Sequence, residues 1–320
     1  MFDEVTLEAL RERVGEDYLA LRLRAQVDRT LRVKGHGRSR FHLENIRALY
    51  ALLERFLRLT GLHETGRRNA LDVQVRERAV YLPGLPRGLD GLRILQITDL
   101  HLDGHPGIGA NAAAAIRGQQ FDVCVITGDF RWRVSGNFAQ IEADMRALMP
   151  ALACPLGVYG ILGNHDVIEM VPFLQRLGVR MLLNEAVELP FKGESLWLVG
   201  LDDPHYYGLH DFQRGLARVP PDAACLLLVH SPEVIEEACR HHFLMYLTGH
   251  THAGQICLPN GRPLLVNARC ARQYAAYAWQ HGALVGYTSA GIGASGVFAR
   301  FFCPPEAVIH ELRAGAWQGG

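Results

Sequence analysis

The chain has 320 residues, 49% hydrophobic and 21% charged, with 33 basic and 33 acidic side chains and so no net formal charge. A chain of this length and mix can bury a sizeable core, which excludes global disorder and a disulfide-stapled miniprotein. Charge neutrality argues against a polyanion-coating protein. Lys34 and Lys192 are the only lysines, leaving 33 − 2 = 31 arginines, a bias that reads as GC-rich coding before it reads as function. No stretch reaches the ~18–20 apolar residues that span a bilayer. The acidic start MFDEVTLEALRERVGEDY does not read as a secretory signal. Seven cysteines without a CxxC pair suit reduced thiols, so the expected location is the cytoplasm.

In chain order, residues 5–33 are rich in Leu, Ala, Arg and Glu and predict helix. RVKGHGRSR (32–40) predicts a basic loop. A second helix follows, with Ile46, Leu49, Tyr50, Leu53, Phe56 and Leu57 on one apolar stripe. Residues 1–67 are thus expected as a helical N-terminal extension packed on a main domain of residues 68–320. Ten basic against three acidic residues from Arg22 to Arg58 also suit anionic head groups, so peripheral contact with the inner membrane surface through residues 22–58 is a second expectation. Short apolar runs then recur: LRILQIT (92–98), FDVCVIT (121–127), GVYGIL (157–162), SLWLVGL (195–201), ACLLLV (224–229), FLMYLT (243–248) and LVGYTS (284–289). Such runs suit strands buried on both faces. Helix-like stretches near 108–118, 137–149, 168–177 and 232–241 alternate with them, which predicts an α/β domain.

The ends of those runs carry the chemistry. They deliver Asp99 and His101, then Asp129, then Asn164, His165 and Asp166, then His230, and finally His250 and His252. Active sites of α/β sheets gather at the carboxyl edge of the strands, so these groups can converge. The i, i+2 spacing of Asp99 with His101, and of His250 with His252, predicts that each pair shares one side of extended backbone. Asp99, His101, Asp129, Asn164, His230, His250 and His252 are too many ligands for one ion and enough for two that share a carboxylate. Nitrogen and oxygen donors without thiolate point to manganese first, with iron, zinc or cobalt as alternatives. Such an ion pair serves attack of a metal-held hydroxide on phosphorus.

The set D-x-H, G-D, G-N-H-D, H and G-H-T-H, in this order, resembles the calcineurin-like metallophosphoesterases over roughly residues 70–312. LPRGLDGLRILQITDLH, LLLVHSPE, GHTHAGQ and RFFCPPEAVIHEL are similar to the bacterial branch of YkuE- and YaeI-type phosphodiesterases and UDP-diacylglucosamine pyrophosphatases. The resemblance implies a two-sheet, mixed α/β sandwich flanked by helices, with two metals at its top edge. It implies that Asp99, His101, Asp129 and His252 hold one ion, and that Asp129 bridges to a second completed by Asn164, His230 and His250. His165 would stabilise the transition state or protonate the leaving oxygen, and Asp166 would orient its imidazole. The chain departs from the pattern where Arg131, Trp132 and Arg133 follow GDF in place of a second acidic residue. It departs again at Ala253, where many members have glycine, and its acidic start does not read as the signal or anchor that many carry.

The branch also implies phosphodiester or pyrophosphate cleavage on a lipid- or nucleotide-linked substrate. A monoesterase or nucleotidase, a nuclease and an inactive scaffold are the alternatives. The complete ligand set speaks against a scaffold. Neutral charge without a basic, aromatic-interleaved tract speaks against nucleic acid, and no protein partner is implied. Arg131, His205 and Tyr206 are candidate substrate contacts, Arg133 a further phosphate clamp, and Asp103 and His105 neighbours of the site. GxGxxG at 291–296 lacks a following helix and reads as a tight turn rather than a dinucleotide site.

Overall fold

The computed structural model describes residues 4–33, 47–133 and 136–318. Most of the expected loop at 32–40, and Ile46 of the apolar stripe, lie outside the described residues. The first helices are α1 (Glu4–Val14), α2 (Glu16–Val33), α3 (Arg47–Leu59) and α4 (His63–Leu71). Twelve strands follow among the described residues: β1 (Gln74–Leu82), β2 (Arg93–Ile97), β3 (Val123–Ile126), β4 (Val158–Gly160), β5 (Val179–Met181), β6 (Glu185–Phe191), β7 (Glu194–Gly200), β8 (Ala224–Leu228), β9 (Met245–Thr248), β10 (Tyr277–His281), β11 (Leu284–Thr288) and β12 (Glu306–Ala314). Helices α5 (Ile108–Ile116), α6 (Ala139–Leu148), α7 (Val171–Arg176), α8 (Phe212–Leu216) and α9 (Ile235–Ala238) connect them. The seven apolar runs of the sequence are β2, β3, β4, β7, β8, β9 and β11.

The strands form two six-stranded sheets, ordered β1-β12-β2-β3-β4-β5 and β10-β11-β9-β8-β7-β6. Both are mixed. In the first, β12 runs parallel to β1 and antiparallel to β2, while β2, β3 and β4 continue in parallel to β5. In the second, β7, β8, β9 and β11 are parallel, and β6 and β10 close the edges antiparallel. The strands of the parallel cores are buried on both faces, and that explains their unbroken apolar sequences. Val80, Ile94, Val123 and Val125 of one sheet meet Leu196, Leu226, Met245 and Val285 of the other in one cluster between the sheets. Ile108, Ile116, Ile141, Met145 and Leu174 cover the outer face of the first sheet. Phe212, Ile235, Tyr246 and Trp279 belong to the cluster on the outer face of the second. The result is a helix–sheet–sheet–helix sandwich, as the resemblance implied. All seven cysteines are unbridged, and no helix among the described residues is long and apolar enough to cross a membrane.

Helices α1 and α2 contribute Leu10, Val14 and Leu19 to the cluster that contains Leu95 and Ile97. Gly15, at φ 80°, turns the chain between them. Arg22 of α2 is fully buried. Its Nε lies 3.1 Å from Asp202 Oδ2, its guanidinium stacks 3.5 Å over the Tyr207 ring, and its Nη2 donates to the Asp166 carbonyl at 3.3 Å. Tyr18 donates to the same Asp202 oxygen at 2.5 Å. A buried charge that loses its partner is costly, because nothing replaces the water it gave up. Arg22→Met, which removes the cation and leaves Asp202 buried, is expected to destabilise the fold by about 3 kcal/mol in urea titration; a change under about 1 kcal/mol would show that the pair is dispensable.

Candidate metal centre

Three strands of the first sheet and two of the second end at one place. β2 runs into Asp99 and His101, β3 into Asp129, and β4 into Asn164 and His165; β8 runs into His230, and β9 into His250 and His252. The backbone there is unusual. Asp99 (φ 51°), His101 (44°), Asp129 (57°), His250 (69°) and His252 (50°) all lie in the left-handed region, at roughly 1–3 kcal/mol each for a non-glycine residue. The two i, i+2 pairs therefore do not lie on extended backbone as the sequence predicts, although Asp99 and His101 still bring donor atoms within 4.8 Å of each other. His250 and His252 instead turn to different partners, His250 to Asn164 and His252 to His101.

Tight neighbours hold these conformations. Asp99 N–H donates to the Gly128 carbonyl, His101 N–H to that of Asp129, and His250 N–H to the Asp99 carboxylate at 3.0 Å. A Cβ on Gly249 would come within 2.4 Å of Asp99 Oδ2 and 2.2 Å of Thr98 Oγ1, so the second sheet approaches the first only because that residue has no side chain. The GxGxxG stretch has the same role. Gly291, at φ 72°, and Gly293 pack directly on Asp99, and Gly293 N–H donates to the Asp99 carbonyl. It braces a candidate ligand, as a tight turn would.

The structure brings all seven candidate ligands together. On one side, His101 Nε2 lies 3.2 Å from His252 Nε2 and 3.8 Å from Asp129 Oδ2, and His252 Nε2 lies 3.6 Å from Asp99 Oδ1. On the other, Asn164 Oδ1 lies 3.0 Å from His230 Nε2 and 2.9 Å from His250 Nδ1, and His230 Nε2 lies 3.3 Å from Asp129 Oδ2. Two donors about 2.1 Å from a shared ion would stand about 3.0–3.4 Å apart, so the spacing suits two cations on either side of Asp129.

The donor chemistry also suits them. His101 Nδ1 faces the Arg131 carbonyl at 2.9 Å and His230 Nδ1 the Thr127 carbonyl at 2.8 Å. Carbonyls only accept, so in each neutral ring Nδ1 carries the hydrogen and Nε2 presents its lone pair to the centre. The Asn164 Nδ2 is buried without a hydrogen-bond partner, while its oxygen faces two imidazoles. Burial pushes the Asp99 carboxyl up. Burial also works against ionisation of Asp129, yet His230, His165 and His101 hold it well below the usual carboxylate range. His230 would be lowered by burial, but the Asp129 and Asp99 carboxylates push it up to about 10. A cation held by these carboxylates and imidazole nitrogens would take the place of the proton that Asp129 and Asp99 favour on His230. Asp99, His101 and His252 form one group of possible ligands, and Asp99, Asp129 and His230 another.

The half-buried His165 stands beside this centre, its ring 5.1 Å from that of His101. Its backbone N–H donates to Asp129 Oδ1 at 2.8 Å, and Nδ1 donates to the Trp132 carbonyl at 2.6 Å. Asp103 in turn accepts from Trp132 N–H and Arg133 N–H. Thus Trp132 holds the imidazole. The Asp166 carboxylate, expected in that role, accepts from the backbone N–H of Asp129, Gly163 and Arg131 and fastens two ligand loops together. Burial and the Asp129 charge raise it to about 6. Arg131 is buried, with its guanidinium 5.2 Å over the Phe138 ring; its carbonyl serves His101. His105 stacks on Phe298 at 4.1 Å.

His205 packs 4.2 Å from the His250 ring, and Tyr206 lies edge-on to His205 at 5.0 Å. Glu233, which sequence reasoning passed over, accepts from His205 Nδ1 at 2.7 Å and from Arg269 N–H. His205, Glu233 and His250 form a third group of possible ligands. The available signal was position: Glu233 follows His230 by three residues in HSPE. Arg300 was also missed. It is fully buried, and its Nη2 reaches the Ala290 carbonyl at 2.7 Å and His252 Nδ1 at 3.4 Å.

Residues 92–254, which contain every candidate ligand, match the profile of the calcineurin-like phosphoesterase family. The chain is similar to the metallophosphoesterase YkoQ of Bacillus subtilis, 28% identical over 254 residues, which are 77% of this chain and 92% of YkoQ. It is 26% identical over 250 residues to YkuE of the same organism, covering 76% and 86%. The UDP-2,3-diacylglucosamine pyrophosphatase LpxG of Chlamydia muridarum is 26% identical over 282 residues, covering 69% of this chain and 83% of LpxG.

Two outcomes follow from this geometry. Gly249→Ala, which drives a methyl group into Asp99, is expected to weaken binding of divalent metal about tenfold or more by calorimetry; parent-like affinity would mean that the sheets are not held this close. For Glu233, burial alone would raise the carboxyl, but the bond to His205 and that ring's charge hold it at about 2, below its ordinary 4.5. A depressed carboxylate stabilises the fold fully above its ordinary value and stops doing so as pH falls through the lowered one. Glu233→Gln should therefore cost about 2 kcal/mol at pH 7 and progressively less towards pH 3 in urea titrations. An equal cost at both would show that charge is not what matters there.

Proposed function

The chain belongs to the calcineurin-like phosphoesterase family, and on that premise we propose that it hydrolyses a phosphodiester or pyrophosphate bond at a centre of two divalent ions. The observation that supports the proposal is that Asp129 Oδ2 faces donors on both sides, 3.8 Å from His101 Nε2 and 3.3 Å from His230 Nε2. Manganese is the first candidate, with iron, zinc and cobalt as alternatives; imidazole, carboxylate and amide donors without thiolate suit any of the four. When bound, the ions supply Lewis acidity and a water activated at neutral pH.

The chain's own residues do the rest. Asp129 faces both sides of the centre, and Asn164 joins His230 to His250 on one of them. His165, held through Nδ1 by Trp132, presents Nε2 as the nitrogen that stabilises charge on phosphorus or passes a proton to the departing oxygen. Asp166 keeps the loops of Asp129 and His165 in register. His205 and Tyr206, beside His250, are proposed substrate contacts. The LpxG likeness supports a lipid- or nucleotide-linked substrate over a simple monoester.

The test is hydrolysis of bis(p-nitrophenyl) phosphate beside p-nitrophenyl phosphate by chelator-stripped protein reloaded with Mn²⁺. Cleavage of the diester should need the metal. His165→Ala should lower kcat by about 10²-fold or more with metal content unchanged, and Asp129→Asn should lose both metal and activity. Preference for the monoester would replace the diester reading with that of a phosphatase. Full metal loading with cleavage of neither ester would overturn it for simple esters.

A further inference from the structure

Helix α3 is fastened to the body of the protein by a small cluster in which Leu57 packs on Val297 and Ala299, with Tyr50, Leu53 and Phe301 around it. Gly296 lets it sit that close, because a Cβ there would fall 2.2 Å from the Tyr50 ring. Two further apolar side chains of α3 are not covered: Leu52 is 66% exposed and Phe56 55%. Across from them stand Leu264 and Leu265, 53% and 55% exposed. Between these two walls runs a groove of about 550 Å³, within the range of about 300–1,000 Å³ usual for small-molecule sites. His250, Thr251 and His252 line it too, so it opens directly onto the candidate metal centre. Its described lining residues include no Asp, Glu, Lys or Arg.

We propose that this groove holds the hydrocarbon tail of an amphiphilic phosphate ester, with the phosphate lying at the His250–His252 end. Exposed leucines and a phenylalanine gathered in one place signal something to be covered. A lining without charge suits an alkyl or acyl chain better than a nucleotide or peptide, whose polar groups would lose water and gain few partners. Continuity with the ligands argues for a substrate's own tail, since its head would then stand where the proposed chemistry occurs. The assignment rests on the phosphohydrolase reading above and narrows its substrate to a lipid phosphate.

The test uses the full chain loaded with Mn²⁺ and ethyl, octyl and dodecyl p-nitrophenyl phosphate, each below its micellar concentration. In the parent, kcat/KM should rise about tenfold or more from ethyl to dodecyl, as burial of methylenes implies. Phe56→Ser and Leu265→Ser, at exposed positions on opposite walls, should each cut the dodecyl-to-ethyl ratio by about threefold or more. Dodecylphosphonate should bind more tightly than ethylphosphonate by calorimetry, a readout that needs no turnover, and both substitutions should narrow that gap.

If the ethyl ester is cleaved and chain length matters in neither assay, the groove assignment is overturned while the hydrolase reading stands. If no ester is cleaved but the phosphonates show the chain-length preference, the groove stands and the hydrolase reading falls. If the substitutions abolish sedimentation with phosphatidylglycerol vesicles yet leave the dodecyl-to-ethyl ratio alone, this face docks on a membrane surface and the tail assignment is overturned.

Discussion

Two buried carboxylates, Asp99 and Asp129, set the terms for the rest of this molecule. Each lies at the end of a central strand of the first sheet, out of contact with water. Such groups remain charged inside a protein only when cations or many donors surround them. The imidazoles of His101, His230, His250 and His252, the backbone amides and the glycine contacts are all arranged around that requirement. The second sheet brings three of those imidazoles, so the packing of sheet on sheet and the assembly of the centre are one event.

Strain at the ligands has the same origin. Left-handed backbone at Asp99, His101, Asp129, His250 and His252 is unfavourable for each residue alone. It persists because the loops are tied to one another: Asp166 takes amides from the 129 and 163 loops, and Arg300 takes carbonyls from the 290–293 turn that rests on Asp99. Arg22 carries this support outward, joining α2 to Asp202 and to the carbonyl of Asp166. The N-terminal helices therefore bear on the centre from two directions, α2 from beneath the Asp166 loop and α3 beside the groove that reaches His250 and His252.

How much of this could be read from the residues depends on where the information lies. Strands buried on both faces announce themselves, and ACLLLV or FDVCVIT has no other plausible home. β1 does not, because QVRERAVYL is half exposed on the sheet's edge and carries Arg76, Glu77 and Arg78 among its apolar residues. The candidate ligands were legible as residue types following such runs. Their orientation was not, since left-handed φ at Asp99 or His250 is imposed by contacts some 150 positions away in sequence. Main-chain partners are equally silent. No side chain reveals that the Trp132 carbonyl holds His165, or that Thr127 and Arg131 set the tautomers of His230 and His101. Asp166 next to His165 looks like its orienting carboxylate, and tertiary structure gives it backbone amides instead.

The place of β12 bears on how such a chain comes together. Residues 306–314 form a strand in the interior of the first sheet, between β1 and β2, although more than 200 positions separate them from either neighbour. Until that strand inserts, β2 has an open flank, and the 291–293 turn beside Asp99 lacks the Glu306 amide that caps it. On a ribosome the ligands from Asp99 to His252 would all emerge before the segment that makes their frame rigid. Completion of the candidate centre is thus deferred to a late, long-range closure, a topology that folds slowly and leaves a sheet edge exposed to mispairing in the meantime.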